Sequence, residues 1–284
     1  MKALVIGVSG MLGNAMVRVL AEAKEWEVHG TLRSPSAKRF FAPQIAARLH
    51  DGIDVDHEDA LVEIFDKVRP QLVLNCVGHV KQVETADQPL HAIPINALLP
   101  HRLARLCGLT QSRLVHISTD CVFTGSRGAY RESDFPDALD LYGRTKLLGE
   151  VDYPHALTLR TSIIGHELQS SHGLIEWFLA QYGSCQGYTR AIFSGLPTVV
   201  LAAVVRDVIA QRPDLHGVYH LAAKPIAKYD LLRLVAQVYG KQIDIIPDDQ
   251  VQIDRSLDGS RFRAATGYVA PEWPELVKTM HAYR

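Results

Sequence analysis

A short aliphatic run over residues 3–6 passes without a spacer into Gly7-Val-Ser-Gly10-Met-Leu-Gly13, and a helical apolar period over residues 11–23 follows. A buried strand that turns on glycine into a helix is the first half of a βαβ unit, which requires a parallel partner strand. The rest of the first half repeats that alternation. Strands are predicted at 28–32, 72–76, 114–118 and 158–164, with helices at 60–68, 95–107 (broken near Pro100) and 140–151. The expected fold is α/β, a Rossmann-type doubly wound parallel sheet covered on both faces.

Beyond residue 165 the alternation loosens. Helices are predicted at 174–181, 199–211 and 229–239, with short strands at 218–221 and 243–246. The expected division is a dinucleotide-binding domain over 1–160 and a mainly substrate-binding α/β lobe over 161–284, with segments returning to the main sheet. No repeat, low-complexity tract or Gly/Ser-rich linker interrupts the chain.

Bulk properties exclude several classes. With 30 basic and 31 acidic residues the formal net charge is −1, which offers no footprint for a nucleic acid. The longest apolar runs are too short for a membrane span or a signal peptide, so no membrane partner is expected. The four cysteines, Cys76, Cys107, Cys121 and Cys185, have no paired spacing. Cys76 and Cys107 stand in apolar contexts and read as reduced core residues, which fits a cytoplasmic protein. No histidine pattern suggests a metal.

The glycine spacing implies a ligand. Gly7 makes the tight turn, Gly10 lets backbone approach a pyrophosphate, and Gly13 allows the helix to pack on the strand, with Ser9, Met11 and Leu12 between them. The helix N-terminus adds free N–H groups and partial positive charge. At the end of the second strand the chain reads Thr31-Leu-Arg33-Ser34. An acid there would accept from a ribose 2′-hydroxyl, whereas an arginine pairs with a 2′-phosphate, so Arg33 and Ser34 favour NADPH over NADH.

Tyr142 and Lys146 sit four apart in Leu141-Tyr-Gly-Arg-Thr-Lys-Leu-Leu-Gly-Glu150, on one face of a helix. A cation beside a phenol favours phenolate, and the expectation is a Tyr142 pKa lowered for proton transfer. Ser118-Thr119-Asp120-Cys121-Val-Phe closes the preceding strand, at the sheet end where α/β folds bind ligands. A glycine turn, a Ser/Thr cluster and Tyr-x-x-x-Lys, in that order, resemble the extended short-chain dehydrogenase/reductase superfamily. Within it, Ser-Thr-Asp-x-Val-Phe, Tyr-Gly-x-Thr-Lys-x-x-Gly-Glu, Leu159-Arg-Thr-Ser162 and Asp254-Arg-Ser-Leu-Asp258 resemble dTDP-4-dehydrorhamnose reductase and related nucleotide-sugar 4-ketoreductases.

That resemblance implies reduction of a 4-keto sugar carried on a nucleotide. Thr119 would orient the substrate oxygen, Tyr142 donate the proton, and Lys146 hold the nicotinamide ribose. It also places Cys76, Val77, Gly78 and Ser118 beside the cofactor and Asp54-Val55 around its adenine. Trp177, Arg190 and Arg255 are candidate substrate contacts, with core packing the stronger expectation for Trp177. Cys121 and Ile163 stand where that group usually has tyrosine and tryptophan, so the pocket is expected to take another sugar. Two alternatives remain open. Cys121 with His172 resembles the pair in GDP-fucose synthase, which would add epimerisation. A non-catalytic NADP-binding subunit, like the regulatory subunit of methionine adenosyltransferase, would use the fold alone. A homodimer is a common assembly for such enzymes.

Overall fold

The computed structural model describes residues 1–81, 85 and 87–284. Seven strands form one parallel sheet: β1 (Lys2–Ile6), β2 (Glu27–Thr31), β3 (Leu49–His50), β4 (Leu72–Asn75), β5 (Arg113–Thr119), β6 (Ala156–Thr161) and β7 (Gly217–His220). Their spatial order is β7-β6-β5-β4-β1-β2-β3, so the winding reverses between β1 and β4. In open α/β sheets the crevice at that reversal, beyond the carboxyl ends of the strands, receives the ligand.

Strand residues alternate between two cores. Ala3 and Val5 pack into one cluster while Leu4 and Ile6 pack into the other, and Leu72 and Leu74 oppose Val73 in the same way. A strand buried on both faces needs apolar residues at every position, which is why these segments read as continuous aliphatic runs. Each such side chain contributes roughly 1.5–3 kcal/mol when fully buried.

The main helices are α1 (Met11–Ala21), α2 (Glu58–Val68), α3 (Leu99–Thr110), α4 (Leu141–Leu148), α5 (Leu174–Ala180), α6 (Thr198–Val204), α7 (Lys228–Tyr239), α8 (Ser260–Thr266) and α9 (Trp273–Ala282). Helix α1 lies between the sheet and α6, so Leu12 through Val17 are all buried. Among the described residues no helix is long and apolar enough to cross a membrane.

Two helices depart from expectation. The helix before β5 does not break at Pro100. A π-turn over Ile93–Leu98 leads directly into α3, and the Leu99 N–H bonds to the Pro94 carbonyl. Pro100 has no N–H to offer the Asn96 carbonyl. That carbonyl instead abuts Gly149, where a Cβ would stand only 1.9 Å from it. Helix α4 stops at Leu148, shorter than the expected 140–151, and its N-terminus is capped by the Asp140 carboxylate accepting from the Gly143 N–H at 2.7 Å.

The chain beyond β6 builds small two- and three-stranded sheets. One segment of it, residues 253–258, straps the loop over 125–130. The Asp254 N–H donates to Gly125, Tyr130 to Ser256, and Asp258 to Tyr130, at 2.7–2.9 Å. Gly128, at φ 78, has no room for a side chain because a Cβ would meet the Asp254 carboxylate at 2.3 Å.

Candidate active site

The glycine turn is held from the second strand. The Gly7 N–H donates to Thr31 Oγ1 at 3.1 Å, and the Val8 N–H donates to the Thr31 carbonyl at 3.1 Å. Gly7 adopts φ 87, and a Cβ on it would strike Val77 Cγ2 at 2.6 Å. Gly13 lies against the turn itself, with a Cβ placed 2.1 Å from the Gly7 carbonyl oxygen. Gly10 differs, since a Cβ there meets nothing nearer than 3.6 Å. It stands at the N-cap of α1 in extended conformation, and no side chain caps the helix. The open side of Gly10 and the uncapped first turn fit a pyrophosphate. Ser9 is exposed and Met11 half-buried at this mouth, whereas the Leu12 side chain is in the core and only its backbone faces the turn.

At the end of β2, three cations stand close in sequence, and two are committed elsewhere. Lys38 pairs with Asp51 at 2.5 Å, and Arg39 lies over the Phe40 ring. Arg33 is exposed and, among the described residues, makes no hydrogen bond or ion pair. The Ser34 hydroxyl caps the next turn, accepting from the Ser36 N–H at 3.3 Å. Asp54 is likewise used locally, accepting from the Asp56 N–H at 3.1 Å, and Val55 is buried among the residues packed on α2.

After β4, Cys76 is half-buried and packs against the core as a free thiol, and burial raises its pKa to about 12. Gly78 is exposed, and a Cβ there would meet only the Asn96 side-chain oxygen, at 3.7 Å. Asn96, which sequence reasoning passed over, fixes this loop: it accepts from the His79 N–H at 2.8 Å and donates to the His79 carbonyl at 2.9 Å. It also donates to Thr145 Oγ1 at 3.2 Å, joining the loop to α4. Its signal was the proline on either side, since Pro94 lies in the π-turn that carries Asn96 and Pro100 follows it.

Thr119, Tyr142 and Lys146 meet at the carboxyl end of β5. Thr119 is buried, and its Oγ1 accepts from the Cys121 N–H at 3.1 Å and donates to Asp120 at 3.2 Å. The Lys146 ammonium donates to the Ile117 carbonyl at 2.7 Å. The expected effect of Lys146 on Tyr142 is corrected here. Burial, then the neighbouring Cys121, pushes the phenol pKa well above its ordinary value, and a hydrogen bond with Thr119 only partly offsets this. Burial also lowers Lys146 to about 8, with Glu150 acting in the opposite direction. Desolvation penalises both charged forms and outweighs their helical proximity.

Ser118 is a second correction. Its hydroxyl donates to Glu150 Oε1 at 2.7 Å beneath the site, so its side chain is spent on the protein. Trp177 is a third, being 38 % exposed on α5 instead of packed in the core. Arg190 is exposed, but Arg255 is half-buried, with Nε donating to the Phe123 carbonyl at 2.8 Å. Its positive charge lowers the pKa values of Asp120, Cys121 and Asp140 against the effect of burial. Burial and Asp120 raise the Cys121 thiol to about 11. His172 is exposed beside Gly173, which lies against Met11 and Glu167 at the glycine-turn end, and among the described residues no hydrogen bond joins it to Cys121.

Fold and site together define an NAD(P)-dependent oxidoreductase of the extended short-chain dehydrogenase/reductase type. The chain belongs to the family described as the RmlD substrate binding domain, whose pattern matches residues 1–283. It is 34 % identical to a probable dTDP-4,6-dihydroxy-2-methyloxan-3-one 4-ketoreductase of Streptomyces antibioticus, over 83 % of this chain and 76 % of that protein. It is also 25 % identical to methionine adenosyltransferase 2 subunit beta of Xenopus laevis, over 84 % of this chain and 72 % of that one. Among solved structures, dTDP-4-dehydrorhamnose reductase of Bacillus anthracis in complex with NADP superposes with a TM-score of 0.80 at 17 % identity, covering 100 % and 99 % of the two chains. At that identity the likeness speaks for the fold.

Proposed function

We propose that this protein reduces the 4-keto group of a nucleotide-activated deoxysugar with NADPH, Tyr142 giving the proton. The observation that carries the reading is the convergence of Thr119, Tyr142 and Lys146 at the carboxyl end of β5, the same end of the parallel sheet at which the glycine turn leaves β1. NADPH, when bound, supplies the hydride. Gly7, Gly10 and the first turn of α1 would hold its phosphates, and Gly78 leaves room for its nicotinamide ribose.

The residues present suit the proton transfer. As hydride reaches the carbonyl carbon, negative charge grows on oxygen; the Tyr142 hydroxyl would donate to it, and the Thr119 hydroxyl would do so by turning its single proton away from Asp120. A phenol with a raised pKa keeps its proton at neutral pH. It is still far more acidic than an alkoxide's conjugate acid, so transfer runs downhill. Lys146, with a pKa of about 8, is cationic at neutral pH and supports the phenolate as it forms.

The epimerase alternative finds less support. A thiol at about 11 with no hydrogen bond to His172 is a poor base at neutral pH. The regulatory alternative draws on the likeness to methionine adenosyltransferase 2 subunit beta. Against it stand the three hydroxyl and amine groups kept in one place. Purified protein offered NADPH and a panel of 4-keto nucleotide sugars is expected to oxidise the cofactor with at least one member. Tight NADP binding with no turnover across the panel would favour the regulatory reading instead.

Cofactor choice gives a second expectation. Arg33→Ala should raise KM for NADPH about 10-fold while leaving KM for NADH within about 2-fold, since one charge-assisted phosphate contact is worth roughly 1.5–3 kcal/mol. Equal changes for both cofactors would show that Arg33 does not read the 2′-phosphate.

A further inference from the structure

Beneath the catalytic groups lies a buried polar chain that the proposed mechanism does not use. Glu150 and Arg160 form an ion pair at 2.7 Å, with side chains only 6 % and 5 % exposed. The pair is bidentate, Arg160 Nε reaching Glu150 Oε1 at 2.8 Å and a terminal nitrogen reaching Oε2 at 2.7 Å. Glu150 Oε1 also accepts from Ser118, the residue before Thr119. Arg160 donates its remaining terminal nitrogen to His220 Nε2 at 3.3 Å, and His220 Nδ1 donates to the Tyr130 carbonyl at 3.0 Å. Burial and Arg160 together lower the His220 pKa to about 4, so its ring is a neutral acceptor here.

Burying a carboxylate and a guanidinium is costly, and an apolar pair of similar volume would often serve the core as well or better. The placement offers a reason for keeping them. Glu150 stands just past the end of α4, where its N–H donates to the Leu147 carbonyl at 3.1 Å, and its carboxylate accepts from Ser118 at the strand end that presents Thr119. It therefore touches both elements that carry catalytic groups. We infer that Glu150 is a positioning residue, held by Arg160, that fixes the β5 end against α4 and keeps Lys146 cationic in its buried setting. This rests on the reductase reading of the site.

The electrostatic surroundings of Lys146 are few. Tyr142 shares its helix, Glu150 stands just past the helix end, and His116 of β5 is fully buried and neutral, its pKa held well below the ordinary value by burial and by Lys146 itself. Glu150 is the anion that raises Lys146 against the effect of burial. Without it, Lys146 would lose its proton at lower pH, and the charge supporting the Tyr142 phenolate would go with it.

The test is a titration of Lys146 itself, followed by the 13Cε shift of labelled lysine and assigned with Lys146→Met. The wild-type midpoint is expected near pH 8. In Glu150→Gln/Arg160→Met, which removes both buried charges and leaves none unpaired, it should fall by about one unit or more. Glu150→Gln alone, kept folded by saturating NADP, should fall likewise. Glu150→Asp should stay within about half a unit of wild type, because it retains the charge. An unmoved midpoint in the folded double variant, or equal shifts in all three, would overturn the inference. The readout needs no sugar, so a predicted shift in a protein that reduces none of the panel would fail the functional reading and leave this one standing.

Discussion

Tyr142→Phe is expected to lower kcat by about 10³-fold while NADPH affinity changes by less than about 3-fold, general-acid groups being worth 10²–10⁴ in rate. The substitution removes one oxygen. The ring stays at the end of β5, where Lys81 Nζ lies 5.4 Å from its centroid. What disappears, on the proposed mechanism, is the proton source and a donor to the developing alkoxide. Thr119 remains, as does any hydride transfer geometry the cofactor provides, so a small residual rate should survive. Stopped-flow oxidation of NADPH, with cofactor Kd measured separately by fluorescence, separates the two effects. Wild-type kcat in this variant would refute the assignment of Tyr142. Loss of cofactor affinity in proportion to kcat would recast it as a binding residue.

Gly13→Ala should act on the fold of the nucleotide end. The added methyl would sit 2.1 Å from the Gly7 carbonyl oxygen and 2.9 Å from Val8 Cα, all of it backbone that cannot rotate away. Relief requires α1 to move off β1, which would also disturb its packing on α6. Such overpacking costs about 3 kcal/mol, at the upper end of the usual range. NADPH affinity should fall about 100-fold as the first-turn N–H groups lose alignment. Gly10→Ala is the informative partner. Its methyl has open space, at 3.6 Å from the nearest atom, so the melting temperature should hold while cofactor affinity falls. If Gly10→Ala leaves NADPH affinity unchanged, the pyrophosphate does not lie where the turn invites it.

The candidate site was legible to different depths. The glycine turn and the Tyr142/Lys146 spacing are local patterns, and local patterns survive being read one residue at a time. Ser118 illustrates the opposite case. In sequence it stands inside a motif for the cofactor end, yet in space its hydroxyl meets Glu150, 32 positions away. Asn96 was missed because its partners, His79 and Thr145, belong to two other elements. Arg255 is brought to the Phe123 carbonyl by residues 253–258, which are strapped to the loop over 125–130.

Periodicity and glycine placement were sufficient to specify a parallel sheet, a nucleotide turn on β1 and a phenol–amine pair on one helical face, because each depends on steric rules spanning a few residues. Tertiary structure decided the ionisation of that pair. The chain by itself suggests that an ammonium one turn away acidifies the phenol. The folded protein buries the amine, half-buries the phenol and turns the amine to the Ile117 carbonyl. Desolvation depends on everything packed around a charge, and no stretch of sequence contains that sum.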